Sequence, residues 1–273
     1  MDMGLFQLLP RNAERSAAEV IAQAFSEIDI AEQYGFESVW LAEHHFSGFG
    51  LVSAPSVFAA AIAARTTRMR IGYAVAVVPL HQPLRLAEEI AWLTHLTGGR
   101  VAVGVGPGFL EHEFAGFGAP LEERHARLEE GLTIIRRALS GEEFSIEPAP
   151  LVMPPIYRAV SSIDGARRAA HEGTPILIGT KPLAALAELL AAFRDEGGNV
   201  ADAYVLRHVC VGRTDAEALA LMPEDSVDAA ICGSPSTARA QLDALEELGV
   251  RRVIAWFNAD GRRSMELIAG AYS

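Results

Sequence analysis

Several features that would assign a chain to a well-defined class are absent from this sequence. It has only two cysteines, Cys210 and Cys232, and they do not form a CxxC pair. This argues against a disulfide framework and favours a reducing, cytoplasmic location. Apolar runs are broken by charge or glycine well before the roughly 18 residues that a membrane span requires. No basic region precedes the first apolar segment, so we expect no targeting peptide.

Positive charge is also in short supply. Lysine and arginine number 23 against 35 aspartate and glutamate residues, which leaves a net charge of −12. An acidic surface repels a phosphate backbone, and we therefore expect no nucleic-acid partner. The acidic balance favours solubility and says little about the fold.

Two catalytic patterns are missing as well. No G-x-S-x-G nucleophile turn occurs in the sequence. A metal site in an α/β barrel needs several histidine or carboxylate ligands at the ends of different strands. Beyond the adjacent pair His44 and His45, only His112 and Glu113 could contribute, and we predict no catalytic metal. Four other histidines fall in or beside predicted helices: His81, His95, His125 and His171.

What the sequence does contain is an alternation of short β-rich segments and longer amphipathic ones. The chain is 50% hydrophobic, and its 273 residues suit one α/β barrel of about 250. No break in composition divides it, so we predict a single domain over residues 1–273. Eight strand candidates are present, several of them apolar throughout, as in strands buried on both faces: residues 3–8, 38–42, 69–77, 101–105, 156–160, 175–178, 203–211 and 252–257.

Helical segments separate these strands. Ser16 and Glu19 form a capping-box pattern ahead of a helix at 17–34. Prolines open two further helices, at 55–65 and 83–96. Helical spacing marks four more segments: 121–139, about 163–172, 182–196 and 264–271. The stretches 106–120 and 140–155 are rich in glycine and proline and are predicted to be loops, and no element is assigned between 211 and 233.

The alternation favours a closed (β/α)8 barrel, a TIM barrel, over an open doubly wound sheet. In the open alternative, a glycine-rich dinucleotide fingerprint should follow the first strand. Here the first strand is followed by LLPRNAERS, which has no glycine.

Three ionisable residues follow the second strand directly: Glu43, His44 and His45. Active sites of these barrels lie at the carboxyl ends of the strands. A histidine there can act as a general base near neutral pH, and Glu43 could orient an imidazole. Two ordinary loop histidines are about equally compatible with the pattern.

Other strand ends offer candidate ligand contacts. Small residues at Ala74 and Val75 would let a flat ring approach, although simple barrel packing explains them better. Gly104 and Gly106 permit a close backbone approach or merely a turn. Ser161 and Ser162 begin a helix, where an anion such as phosphate could bind or a serine could simply cap the helix. Gly179 and Thr180 could likewise serve a ligand.

At this point the sequence resembles a known family. The block E-H-H-F, the strand G-x-A-V-x-V-x-P, the turn L-T-G-G-R and the G-x-G that follows are together similar to the N-terminal half of the bacterial luciferase-like flavin monooxygenases. The second half is similar too, through PPIYRAVSS, AAHEGTPILIG, GSPSTARAQLDALEELGV and RSMEL. The resemblance covers nearly the whole chain and implies a (β/α)8 barrel.

The resemblance also implies roles and a cofactor. His44 matches the family's catalytic histidine, with Glu43 and His45 beside it. Ala74–Val75 matches a non-proline cis peptide against the flavin ring, and Ser162 matches a flavin phosphate contact. The implied reaction uses reduced FMN, supplied by a separate reductase, and O2 to oxidise an organic substrate such as an aldehyde. The helices at 55–65 and 83–96 match the family's dimer interface, which implies a homodimer.

Two alternatives to an FMN-dependent monooxygenase stay open. Related barrels use the deazaflavin F420 for hydride transfer, and a non-catalytic flavin-binding or partner subunit is also compatible with the sequence.

The sequence departs from the family at two places. The chain is short at about 212–233, where luciferases carry a long mobile segment that closes over the site, and this argues against light emission. Pro107 stands where some members have a phosphate-binding arginine.

Overall fold

The computed structural model describes residues 1–11, 13–143, 145–222, 228–257 and 261–272. Parallel strands alternate with helices along this part of the chain. The strands are β1 (Asp2–Gln7), β2 (Ser38–Leu41), β3 (Arg70–Val77), β4 (Val101–Gly106), β5 (Ile156–Val160), β6 (Ile176–Ile178), β7 (Tyr204–Val211), β8 (Ala230–Gly233) and β9 (Arg252–Phe257). The helices are α1 (Ala17–Gln33), α2 (Pro55–Ala63), α3 (Pro83–Leu96), α4 (Glu111–Phe117), α5 (Arg124–Ser140), α6 (Ile163–His171), α7 (Leu183–Asp195), α8 (Asp215–Leu221), α9 (Pro235–Glu247) and α10 (Gly261–Tyr272).

The strands form one sheet in the order β6-β5-β4-β3-β2-β1-β9-β7-β8, and β6 also pairs with β7. That additional pairing closes eight strands, β1 to β7 and β9, into a parallel barrel. β8 lies outside this ring, because it pairs with the last four residues of β7, His208 to Val211. The (β/α)8 fold predicted from the sequence is therefore confirmed.

Tertiary contacts group the chain into two compact units. The first contains Met1–Phe6, Ser26–Trp40 and the chain from Tyr157 onward. Its interior includes a cluster of aromatic rings in which Trp40 and Tyr157 both contact Tyr204, with centroids 4.5 and 5.1 Å from that ring. The single-domain organisation expected from the sequence stays a prediction.

The second unit contains Gln7–Phe25 and Leu41–Ile156. Its centre is the β3–β4 pair, in which Ile71 lies opposite Val101 and Val77 lies opposite Gly106. β4 reads VAVGVG and is buried along its whole length, as expected of a parallel strand covered on both faces. Helices α2, α3 and α5 also belong to this unit, which holds the residues described below as the candidate site.

Local sequence explains several helix ends. The Ser16 hydroxyl accepts a hydrogen bond from the Glu19 backbone N–H, and the Glu19 carboxylate accepts one from the Ser16 N–H at 2.8 Å, so the predicted capping box forms. Gly118 ends α4 with a φ of 64°, a left-handed conformation that glycine adopts without strain. No helix within the described ranges is long and apolar enough to cross a membrane.

One expectation about local structure was wrong, and one unassigned region contains regular structure. α4 forms at Glu111–Phe117, inside the stretch 106–120 that was predicted to be a loop. Its acidic first turn favours a helix N-terminus, and this signal was outweighed by the surrounding glycines. α8 and β8 lie in the region 211–233 that received no assignment. Residues 223–227 of that region lie outside the described residues.

Candidate active site

The loop after β2 is held in place by its backbone. The Ala42 N–H donates to the Gln7 carbonyl at 3.1 Å, and the His44 N–H donates to the Val52 carbonyl at 3.1 Å. Phe46 turns the chain with a φ of 55°, which is uncommon for a residue with a side chain. The loop therefore presents Glu43, His44 and His45 in a fixed arrangement at the carboxyl end of the strand, within the second unit.

Glu43 is buried and accepts hydrogen bonds from three groups. The Val77 backbone N–H donates to its Oε2 at 2.9 Å. The Nε2 atoms of His45 and His81 both lie 2.8 Å from its Oε1. The carboxylate thus ties the histidine loop to the end of β3 and to the turn that carries His81.

These contacts shift two pKa values in opposite directions. Burial alone would raise the pKa of Glu43, but the hydrogen bonds from His45 and His81 outweigh it and lower the pKa to about 2. Burial likewise acts to lower the pKa of His81, and the hydrogen bond and charge of Glu43 raise it overall. An ionised Glu43 is therefore strongly favoured near neutral pH.

Glu113 contacts a ring nitrogen of His44, as Glu43 contacts a ring nitrogen of His45. It lies on α4 and is buried, and its Oε1 is 3.0 Å from the His44 Nδ1. The same oxygen accepts the His45 backbone N–H at 2.8 Å. Toward the residues that the structure describes, the other ring nitrogen of His44, Nε2, makes no hydrogen bond, and the His44 side chain keeps 13% of its surface exposed.

Aromatic rings surround the two histidines. Phe49 packs its edge against His44 with centroids 4.7 Å apart, and Phe117 packs in the same way against His45, also at 4.7 Å. The Phe46 ring packs at a tilt against the Phe117 ring and is 65% exposed. Phe109, on the loop after β4, is 69% exposed. Exposed apolar rings beside titratable groups are typical of a binding site for an apolar molecule.

The predicted contacts on β3 and β4 belong to this same unit. The Ala74–Val75 peptide bond is cis, as the family resemblance implies. The pairing with β4 shifts register at this point, and Ala74 and Val75 are partly exposed between buried neighbours. Gly104 and Gly106 are buried within β4. The contact of Ala74 and Val75 with a flat ring stays a prediction.

The remaining predicted contacts lie in the first unit. β5 pairs with β6 so that Val160 faces Ile178, and Ser161–Ser162 and Gly179–Thr180 therefore leave the sheet side by side. The Ser162 hydroxyl accepts the Gly165 N–H at 3.2 Å, so the capping role is realised. Ser161, Ser162 and Gly179 are exposed, and a phosphate could still reach their hydroxyl and N–H groups.

A cavity of about 540 Å³ lies between α2 and α3 in the second unit. Glu43 and His81 line one side of it, whereas His44 does not. A chain of polar contacts crosses its wall, since the Ser56 hydroxyl lies 3.0 Å from the Tyr73 hydroxyl and donates to Glu89 at 2.7 Å. Ala74 and Val75 do not line this cavity, although their neighbours Tyr73 and Ala76 do.

Sequence reasoning identified three of the clustered groups and missed two of their partners. Glu43, His44 and His45 come together as expected. His81 was set aside because it neighbours a helix, and Glu113 was considered only as a metal ligand. Among the described residues, no group of three or more histidine, cysteine or carboxylate side chains is arranged to hold a metal ion.

Comparison with known sequences places these residues in a family. The family model described as luciferase-like monooxygenase matches residues 1–229. The uncharacterized protein y4vJ of Sinorhizobium fredii is 33% identical over 225 residues, which are 75% of this chain and 64% of that protein. The limonene 1,2-monooxygenase of Rhodococcus erythropolis is 32% identical over 190 residues, which are 65% of this chain and 49% of that enzyme. This chain thus matches less than two thirds of the length of either relative.

Solved structures have the same fold over almost their whole length. The monooxygenase RslO1 from Streptomyces bottropensis has a TM-score of 0.89 at 24% identity, covering 100% of this chain and 98% of its own. The oxygenating constituent of 3,6-diketocamphane monooxygenase from Pseudomonas putida, in complex with FMN, has a TM-score of 0.83 at 19% identity and covers 98% and 96%. An F420-dependent secondary alcohol dehydrogenase, in complex with an F420-acetone adduct, has a TM-score of 0.80 at 15% identity and covers 99% and 97%.

At these identities the structures show the fold alone, and the sequence match carries the family. Because that match extends over most of the chain, this protein belongs to the luciferase-like monooxygenase family.

Proposed function

We propose that this protein is a flavin-dependent monooxygenase that uses reduced FMN and O2 to oxidise an apolar organic substrate. The observation that carries the proposal is the contact between partly buried His44, which follows β2, and the buried carboxylate of Glu113 on α4. Reduced flavin supplies the activation of oxygen. The chain's own residues bind, exclude water and handle protons.

His44 is the group proposed to exchange a proton with the reacting molecule. Its Nδ1 is engaged by Glu113, and its Nε2 is the nitrogen left for a bound partner. General acid–base catalysis by a positioned side chain contributes about 10²–10⁴-fold to a rate. His45 is tied to Glu43 through its own Nε2 and is proposed to support the loop rather than to react.

The flavin ring is proposed to lie against Ala74 and Val75 in the second unit. As a separate proposal within the first unit, Ser161, Ser162, Gly179 and Thr180 bind a phosphate group. The partly exposed, small side chains of β3 and the exposed start of α6 support these two contacts separately. A hydrogen bond to a charged phosphate contributes about 1.5–3 kcal/mol, so Ser162→Ala should weaken phosphate binding about tenfold or more. Thr214→Ala is the matched control, because Thr214 also caps a helix in the same unit by accepting an N–H, that of Glu217.

The substrate is proposed to be a small apolar molecule, such as an aldehyde. The exposed rings of Phe46 and Phe49 on the histidine loop favour an apolar ligand over a charged one. Electrons are proposed to come from a separate flavin reductase, as in the two-component members of the family.

The test is oxygen-dependent turnover. Protein mixed with FMN, a flavin reductase and NADH should oxidise a small apolar aldehyde in air and not under nitrogen. His44→Ala should lower the rate about 10²-fold or more. Equal rates for His44→Ala and the wild-type protein would contradict the catalytic role and favour a non-catalytic flavin-binding subunit.

F420-dependent hydride transfer is the second candidate, and one observation favours it. A solved structure with the same fold holds an F420-acetone adduct. Titration with FMN and with F420 separates the two proposals, because tight binding of F420 alone, with oxidation of a secondary alcohol under nitrogen, would replace the first by the second.

We also propose that the protein is a homodimer through α2 and α3. Val57 on α2 is 72% exposed and Trp92 on α3 is 55% exposed, beside the cavity described above. Sedimentation should give a particle of twice 29.3 kDa, and Val57→Asp should dissociate it. Leu219→Asp, at an exposed position on α8, is the control and should leave the dimer intact. A wild-type particle of 29.3 kDa would reject the dimer.

A further inference from the structure

The helix α4 brings a buried carboxylate to the histidine loop across 69 residues of sequence. Its first turn carries two glutamates, of which Glu111 is exposed and Glu113 is buried. Both contacts of Glu113 use the same oxygen, Oε1, which lies 3.0 Å from the His44 Nδ1 and 2.8 Å from the His45 backbone nitrogen.

These contacts decide which ring nitrogen of His44 carries the proton. A backbone N–H can only donate, so the Glu113 oxygen acts as an acceptor toward His45, which favours the ionised carboxylate. An ionised carboxylate is an acceptor only, and a 3.0 Å contact with Nδ1 is then a hydrogen bond only if Nδ1 carries a hydrogen. The neutral His44 ring consequently has its lone pair on Nε2.

We propose that Glu113 is a positioning residue that holds His44 as the Nδ1–H tautomer and so reserves Nε2 for proton exchange. The inference rests on the proposed function for its catalytic meaning, but the tautomer itself is a property of the protein without flavin. The same logic orders the histidine in carboxylate–histidine pairs elsewhere, where the partner of one nitrogen sets the role of the other.

The rest of α4 strengthens the arrangement. The His112 Nε2 lies 3.2 Å from the His45 carbonyl, and the Phe117 ring packs against the His45 ring. The helix therefore contacts the loop through three of its residues, and Glu113 is the one that contacts the ring of His44. If Glu113 only anchored α4, replacing its side chain would not change the tautomer of His44.

Two variants separate the acceptor from the size of the side chain. Glu113→Gln keeps an oxygen that can accept from both nitrogens, whereas Glu113→Met has a similar length and no such acceptor. We expect Glu113→Gln to keep the Nδ1–H tautomer. Glu113→Met should shift His44 toward the Nε2–H form that free histidine prefers. Glu111→Met makes the same substitution at the exposed position of the same turn and should change nothing.

The measurement is long-range 1H–15N correlation NMR of 15N-histidine-labelled, flavin-free protein, with His44 assigned from the spectrum of His44→Asn. At a pH where the His44 ring is neutral, the wild-type spectrum should show Nδ1 protonated and Nε2 unprotonated. A wild-type His44 in the Nε2–H form overturns the proposal without any Glu113 variant. So does Glu113→Met with an unchanged tautomer.

Turnover supplies the second readout. Glu113→Met should lower kcat about 10²-fold, as expected for loss of one acid–base contribution, while the Kd for FMN changes less than twofold. Glu113→Gln should recover most of kcat. If the wild-type protein oxidises no substrate with reduced FMN, the proposed function fails, and the NMR result still decides the role of Glu113 toward His44.

Discussion

Replacing Glu43 with glutamine should destabilise the protein by an amount that depends on pH. Glu43 is buried, and its hydrogen bonds from His45 and His81 lower its pKa from the ordinary 4.5 to about 2. At about 1.4 kcal/mol per pH unit, this difference corresponds to about 3 kcal/mol of folding free energy. Glutamine has nearly the same shape. If its single oxygen accepts from the Val77 N–H, its NH2 group faces the Nε2 atoms of His45 and His81, so the variant removes both the charge and their acceptor.

The sign of the pH dependence follows from the two shifts. A lowered pKa in the folded protein stabilises above pH 4.5, and this contribution is lost as the pH falls from 4.5 toward 2. The pKa of His81 is raised, so its contribution is complete below its ordinary 6.5 and is lost as the pH rises through the higher folded value. Both shifts describe one ion pair and are not added. The variant should therefore differ most from the wild-type protein between pH 4.5 and 6.5.

Urea unfolding followed by tryptophan fluorescence, at pH values from 3 to 9, measures this difference. The gap in unfolding free energy between wild type and Glu43→Gln should be about 3 kcal/mol near pH 6 and should shrink at both ends of the range. Glu122→Gln, at an exposed position, is the control and should change stability by less than about 0.5 kcal/mol. A gap below about 1 kcal/mol at pH 6, or one that stays constant down to pH 3, would refute the charged network around Glu43.

Two further predictions concern packing. Gly108 and Gly118 both have positive φ, but a Cβ at Gly108 would lie 2.6 Å from the Val77 side chain whereas one at Gly118 meets no atom within 4 Å. Gly108→Ala should therefore lower the unfolding free energy by about 1–3 kcal/mol more than Gly118→Ala, measured by urea unfolding, and equal losses would contradict the crowding at Gly108. Cys210 and Cys232 are both buried, and burial raises the pKa of the Cys232 thiol, so a thiol reagent should label neither in the folded protein within minutes and both in urea. Rapid labelling without urea would show that the sheet edge at β8 opens.

The barrel could be predicted from the sequence because its signals are local. Runs such as VAVGV are short, apolar and bounded by glycine or charge, and all eight predicted strands of the ring form within about two residues of their expected limits. β8 was missed for the same reason that the others were found. Its four residues, AICG, lie in the region 211–233, which shows no clear pattern in the sequence, and its partner is the far end of an already assigned strand.

The composition of the site was harder to predict than its location. The rule that barrel chemistry lies at the carboxyl ends of strands led to Glu43, His44 and His45, whose role in a reaction stays a prediction. Their partners, Glu113 and His81, are 69 and 38 residues away from the residues that they contact. Those contacts exist because β2, β3 and β4 are neighbours in the sheet. A single sequence predicts the order of the strands along the chain, but it does not predict which side chains contact each other.

The two carboxylates explain why adjacent histidines can have different roles. Side chains of consecutive residues in an extended segment point in opposite directions, so one carboxylate could not hold both rings. Glu43 contacts His45 through Nε2, and Glu113 contacts His44 through Nδ1. The nitrogen that remains is therefore Nδ1 in His45 and Nε2 in His44. Of these two nitrogens, only the Nε2 of His44 lies at the end of its ring away from the backbone. The pairing of each histidine with its own acid therefore supports the proposal that His44, and not His45, is the one that reacts.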